Sequence, residues 1–113
     1  MYVTLVVEDP SWQVTTTKVV AATDLEDIPQ TGSGNPKIGH FPYSGLLQFT
    51  IPLEDILPDG AEAGDTIIIA VHSVVQNTFG QCETAWGGPC DTHGGGGDFI
   101  GNSWATYMSY LVT

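Results

Sequence analysis

Three histidines, thirteen carboxylates and two cysteines are the side chains with which this 113-residue chain can do chemistry. His40, His72 and His93 are scattered, and no Gly-x-Ser-x-Gly elbow supplies a nucleophile for any of them. His72 lies inside the apolar run Ile67–Val75, where a strand histidine held by its neighbours outweighs a general base. Paired carboxylates occur at Glu8-Asp9, Glu26-Asp27 and Glu54-Asp55. A glycosidase needs two carboxyls across a cleft with one pKa raised by burial, and pairs in solvent-facing turns do not provide that. Hard cations want six to eight oxygens, which Asp24, Glu26 and Asp27 offer in one loop. Asp91 and Asp98, with the carbonyls of a glycine-rich stretch, offer a second set, and His93 would turn that set toward a transition metal. No D-x-D-x-D-G loop is present, so a plain acidic surface competes with calcium at both places. Cys82 and Cys90 flank a Gly-Gly-Pro turn, and a short loop closed by a disulfide is the favoured reading over two reduced thiols. The C-x₂-C spacing of zinc sites is missing.

Strands joined by turns must position these groups. Fourteen glycines, seven prolines and thirteen threonines favour strands and turns over helix. Residues 2–8 form one β-rich run and Asp9-Pro10-Ser11 turns the chain. Residues 12–22 form a second, β-branched run, which predicts a hairpin or meander with the first. From Asp24 to Gly45 the residues favour loop, with a short helical turn at Asp24–Pro29 and Ile28, Ile38, Phe41 and Tyr43 as anchors. Leu46–Ile51 alternates as a strand, and Pro52–Leu57 predicts a second helical turn. Thr66–Val75 is the most apolar run and the expected central strand. A short strand over Gln81–Trp86, a glycine-rich loop over 87–98 and a strand over Ser103–Val112 complete the chain. The expected fold is all-β, a single antiparallel β-sandwich domain over 1–113, Ig-like or jelly-roll-like.

The formal charge of −11 rests on only two lysines and no arginine. Such a chain cannot neutralise a row of phosphates or an anionic membrane surface, so neither nucleic acid nor membrane insertion is expected. Glycan binding would rest on Trp12, Trp86, Trp104, Tyr43 or Tyr107, with Trp12 beside a turn the best placed. No Asn-x-Ser/Thr sequon occurs, whereas Thr15-Thr16-Thr17 offers hydroxyls for O-linked sugar. Met1 runs directly into Tyr2–Val7 without a basic n-region or cleavage site, which does not read as a signal peptide.

The blocks Glu83-Thr84-Ala85-Trp86-Gly87, Phe99 and Asn102-Ser103-Trp104-Ala105-Thr106-Tyr107 carry a resemblance. Together they resemble the ETAWG…F…NWATY signature near the C-terminus of uncharacterised secreted or lipid-anchored bacterial β-modules. Tyr2-Val3-Thr4, Leu25–Pro29, Gly34–Tyr43, Thr50–Leu53 and Ala70–Val75 are similar to family blocks in family order. The resemblance implies an extracellular or cell-surface β-module and no activity. Two departures stand out. The stretch between Trp86 and Phe99 is enlarged, and a strand that precedes the Tyr-Val-Thr block in relatives has no counterpart here.

That second departure gives the first strand a particular meaning. Val3, Leu5 and Val7 alternate with Tyr2 and Val6, so the run is apolar on both faces, as strands between neighbours are. An apolar edge aggregates unless covered, and a strand from outside the chain is the expected cover. The expected function is an exported, non-catalytic subunit of an extracellular fibre or appendage, a homopolymer joined by strand addition through Tyr2, Val3, Leu5, Val6 and Val7. The alternative is a cell-surface module that binds calcium or glycan. No cofactor is expected beyond that possible calcium.

Overall fold

A computed structural model describes residues 1–7, 9–87, 95–98 and 106–111. Eight strands form two antiparallel sheets. In chain order they are β1 (Tyr2–Thr4), β2 (Trp12–Ala22), β3 (Tyr43–Gly45), β4 (Gln48–Thr50), β5 (Thr66–Asn77), β6 (Cys82–Trp86), β7 (Gly95–Asp98) and β8 (Thr106–Leu111). A single helical turn, α1 (Leu53–Ile56), follows β4. No helix among the described residues is long and apolar enough to cross a membrane.

The large sheet is built on β2 and β5, which pair from Trp12↔Asn77 to Ala22↔Ile68. β3 lies outside β2. The other edge of β5 is divided between two partners. Its C-terminal half pairs with β6, from His72↔Trp86 to Gln76↔Cys82, and its N-terminal half pairs with β8, from Thr66↔Leu111 to Ile69↔Met108. β7 closes that side against β8. The small sheet is a ribbon of two strands, β1 and β4, with Val3 opposite Phe49.

Alternation along β5 sends Ile67, Ile69, Val71, Ser73 and Val75 to one face and Ile68, Ala70, His72 and Val74 to the other. Both faces are covered, which explains the nearly continuous apolar run. On the first face Val19, Ile67, Ile69 and Val71 pack against Val3, Phe49 and Ile51 of the ribbon and its continuation, with Leu53 and Ile56 of α1 at the margin. On the second face Val20, Ala22 and Ala70 pack against Ile28 and Phe41. These two anchors belong to the segment 24–41, which satisfies its backbone internally. Asp24 accepts from the Glu26 amide at 3.2 Å, Gln30 Nε2 donates to the carbonyl of Leu25 at 2.6 Å, and the Lys37 amide donates to the carbonyl of Pro29 at 2.8 Å. The sandwich is therefore unequal: a ribbon covers one side of the large sheet and an ordered loop the other.

A bulge in β2 sets its inward face. Register shifts between Val14 and Thr16, and the Thr15 hydroxyl donates to the carbonyl of Val74 at 3.1 Å. The extra residue lets Val14 and Thr17, three apart, both face the ribbon opposite Val75 and Ser73. Thr17 Oγ1 and Ser73 Oγ then meet at 2.8 Å in a buried pair. Ser73→Ala alone leaves the Thr17 hydroxyl without a partner and should cost about 1–3 kcal/mol. The double variant Thr17→Val/Ser73→Ala removes both partners and should lie close to wild type in chemical denaturation. Additive losses would show that the pair is not coupled.

Three expectations need correction. β1 and β2 do not form a hairpin, because β1 pairs with β4 in the other sheet. The Asp9 turn is real, with Ser11 Oγ donating to Asp9 Oδ1 at 2.6 Å, but it carries the chain between sheets instead of back along one. The first strand is also shorter than residues 2–8. Leu5 still donates to the carbonyl of Leu47 at 2.8 Å, yet the partner strand begins only at Gln48, so Val6 and Val7 leave the ladder. Finally, the loop expected over 87–98 contains β7 at Gly95–Asp98. Ser103–Ala105, expected to open the last strand, lie outside the described residues.

Candidate functional site

The geometry that stands out is an open position in the ribbon. Met1 and Ile51 exchange both backbone hydrogen bonds at 2.8 Å, and Leu5 donates to the carbonyl of Leu47. Antiparallel ladders alternate bonded and non-bonded pairs, so residues 1, 3 and 5 direct their backbone groups at β4. The N–H and C=O groups of Tyr2 and Thr4 therefore point to the opposite edge, where no strand pairs with β1 among the described residues.

The large sheet continues beneath that edge. β4 lies above β3, where the Phe49 ring sits so close to Gly45 that a Cβ there would meet it at 3.2 Å. β1 lies above β2 and β5. The next position outward, above β6 and β8, is a groove of about 420 Å³. Tyr2 to Val7 form its wall, and Ile69, Val71, Ser73, Val75, Ala85 and Met108 contribute to its floor. Gly87 completes the floor, and a Cβ there would come within 3.0 Å of Val71 Cβ. Not one described residue lining the groove is charged. Around it Tyr2 and Val6 are 84% and 68% exposed, with Leu46 and Leu47 also open to solvent.

No family model, curated protein or solved structure matches this chain. The likeness of the Glu83–Gly87 block to exported β-modules thus rests on the sequence alone.

The remaining candidates are dispersed. His72 stands on the second face of the large sheet, its ring 4.9 Å from that of Trp86 in an edge-on contact, with Lys18 as its cross-strand neighbour on β2. Phe41 approaches Trp86 from the loop side at 6.4 Å. Burial holds the imidazole pKa below its ordinary 6.5. The unfolded chain then binds a proton that the folded chain resists. His72's contribution to stability is complete above pH 6.5 and is lost as pH falls from 6.5 through the lower folded value. An NMR titration should place the His72 midpoint below 6.5, and His72→Phe should flatten the loss of melting temperature across that interval. A midpoint at or above 6.5 would contradict the burial argument.

Asp24 spends its carboxylate on the Glu26 amide, while Glu26 and Asp27 are exposed on the same short 3₁₀ turn, Leu25–Asp27. Among the described residues no three His, Cys, Asp or Glu side chains converge on one point. Asp98 ends β7 opposite Thr106, and Asp91, His93 and Trp104 lie outside the described residues. Cys82 is exposed at the start of β6, no disulfide joins it to a described residue, and its expected partner Cys90 lies outside them. His40 is exposed at the end of the 3₁₀ turn Ile38–His40. Of the aromatic candidates, Tyr107 packs at the margin of the second core. Tyr43 packs at the margin of the first and donates to Asp55 Oδ2 at 3.2 Å. That carboxylate and partial desolvation, the latter the larger effect, raise the phenol's pKa above 10. Trp12 opens β2 opposite Asn77 and is half-buried.

The wall of the groove was visible in the sequence as Tyr2–Val7, but its floor was not. Val14, Ser73, Val75, Ala85, Gly87 and Met108 come from four separate segments. The one signal within reach was parity along β5, which continues the inward face to Val75 past the end of the fully buried stretch.

Proposed function

We propose that the protein is an exported, non-catalytic structural subunit of an extracellular fibre or surface appendage, assembled by β-strand addition between copies. The observation that carries this reading is the edge of β1, unpaired among the described residues, beside a groove whose described lining is uncharged and largely apolar. A strand laid there would bond Tyr2 and Thr4 through the backbone and cover the floor with alternate side chains. Natural edges are ordinarily guarded by lysine, proline, a bulge or a covering loop. Residues 2–7 carry neither lysine nor proline, and the bulge of this fold sits in β2. Addition of a strand from one copy to the groove of the next is heterologous, and such contacts give filaments when the rotation does not close.

Extracellular placement is supported by the likeness to exported modules and by the spacing of Cys82 and Cys90. The charge of −11 per copy opposes association at low salt, with a screening length of about 8 Å at physiological ionic strength. Electron microscopy of the purified protein over a concentration and salt series tests the reading. Filaments that lengthen with salt, with the Tyr2 and Thr4 amides protected from exchange in the polymer, are expected. A protein that stays monomeric at high concentration and high salt ends it.

A further inference from the structure

We infer that the groove beside β1 is built for a single extended segment of a second copy, one with no sheet of its own beneath it and no charge on the side chains it turns inward. The inference rests on the strand-addition reading and specifies the segment that addition requires.

The overhang of the large sheet decides the first half. β6 and β8 extend one strand position, about 4.8 Å, beyond β1 and floor the groove with Ala85, Gly87 and Met108. Two folded copies pairing β1 edge to edge in antiparallel fashion place both large sheets on the same side of the joined ribbons, so each overhang enters the space under the partner's ribbon and the two collide. A lone strand meets no such obstacle. It is also preferred over an apolar small molecule, because the N–H and C=O groups of Tyr2 and Thr4 would be buried unpaired by a hydrocarbon.

Charge decides the second half. No described lining residue is ionisable except the Tyr2 phenol, and both lysines are elsewhere. Lys18 pairs with His72 and stands on the opposite face of the large sheet, and Lys37 belongs to the loop that covers that face. A carboxylate turned into the groove would lose solvation with no cation to meet it. In a chain with thirteen carboxylates, this requirement discriminates among its own segments.

The test uses two capped hexapeptides on the full-length protein at a concentration where it is monomeric. One alternates threonine and valine, and the other alternates threonine and glutamate. The valine peptide should raise the melting temperature and slow amide exchange at Tyr2 and Thr4 by about tenfold or more, with the Val3 amide unaffected. The glutamate peptide should do neither. Ala85→Lys, on the exposed part of the floor, should reverse the preference without changing the fold. Equal binding of both peptides overturns the charge argument. Protection of Thr4 in a peptide-free dimer of folded copies overturns the overhang argument. If the valine peptide binds as described and displaces copies from closed oligomers that never extend into filaments, the inference stands and the fibre reading fails; peptide binding by a protein that stays monomeric under every condition overturns the second copy as occupant. Filaments that keep growing at saturating valine peptide overturn the inference and leave the fibre reading intact.

Discussion

Replacing Ile67 by alanine should remove a large share of the stability of this domain. Ile67 is 0% exposed, lies on β5 opposite Tyr110 of β8, and packs in the core between the large sheet and the ribbon. Truncating a buried isoleucine loses both the transfer free energy of the side chain and the contacts of the cavity left behind, together about 2–5 kcal/mol. Domains of this size are stable by only about 5–15 kcal/mol. Each kcal/mol shifts the melting temperature of a domain near 100 residues by about 4–8 °C, so a fall of roughly 10–30 °C is expected. The site has little room to collapse, because β2 flanks β5 along one side and β8 occupies the other beside Ile67. Ile67→Val should cost only about 0.5–1.5 kcal/mol. Phe79 supplies the contrast. It is 89% exposed at the tip of the β5–β6 turn, where Asn77 Oδ1 accepts from the Phe79 and Gln81 amides. Phe79→Ala leaves those bonds in place and should stay within about 0.5 kcal/mol of wild type. Thermal unfolding followed by circular dichroism separates the cases, and similar losses for Ile67→Ala and Phe79→Ala would refute the location of the core.

The strands that carry this core were legible because their side chains leave a strong trace. Residues 12–22 and 66–75 are β-branched and apolar, and both became long paired strands with almost the expected bounds. The two helical turns were legible from their punctuation, since Asp24 caps the first, which ends before Pro29, and Pro52 stands at the start of the second, where its missing N–H costs no helical bond. β7 was not, because Gly95-Gly96-Gly97 has no side chain to alternate. Its strand geometry comes from pairing with β8, a tertiary fact. The partner of β1 was hidden for a related cause. A turn such as Asp9-Pro10-Ser11 reads the same whether the next strand returns beside the first or crosses to the other sheet. The acidic segment 24–27 shows the limit for sites. Clustering along the chain offers Asp24, Glu26 and Asp27 as cation ligands, and what the chain order does not show is that Asp24 Oδ1 also accepts from the Glu26 amide of its own turn. Likewise, the groove's wall is one contiguous apolar run, while its floor depends on small residues, Ala85 and Gly87, that carry no pattern by themselves.

Thr4→Pro and Val3→Pro, one residue apart, should have opposite consequences. The amide of Thr4 points away from β4, so proline there removes no bond of the ribbon. Proline is tolerated on edge strands when its missing N–H faces solvent, and the preceding residue, Val3, is already extended. The fold should therefore survive with a melting temperature close to wild type. An incoming strand, however, loses one ladder bond, about 0.5–1.5 kcal/mol net, and meets the ring where its carbonyl belongs. Since 1.4 kcal/mol is a factor of about ten in an equilibrium constant, the lost bond alone should raise the critical concentration for filament growth about two- to tenfold, and the clash of the ring adds to that rise. Val3→Pro works on the other edge. It removes the donor aimed at Phe49 and trims a side chain buried in the core, so it should lower the melting temperature whether or not the protein polymerises. Sedimentation of filaments against protein concentration, with melting curves of the same samples, reads both effects. The decisive quantity is the difference between the variants. Filament growth by Thr4→Pro at the wild-type critical concentration would show that the free edge of β1 is not where copies join. A critical concentration raised equally by both variants, with equal loss of stability, would show that the edge matters to the fold and not to assembly.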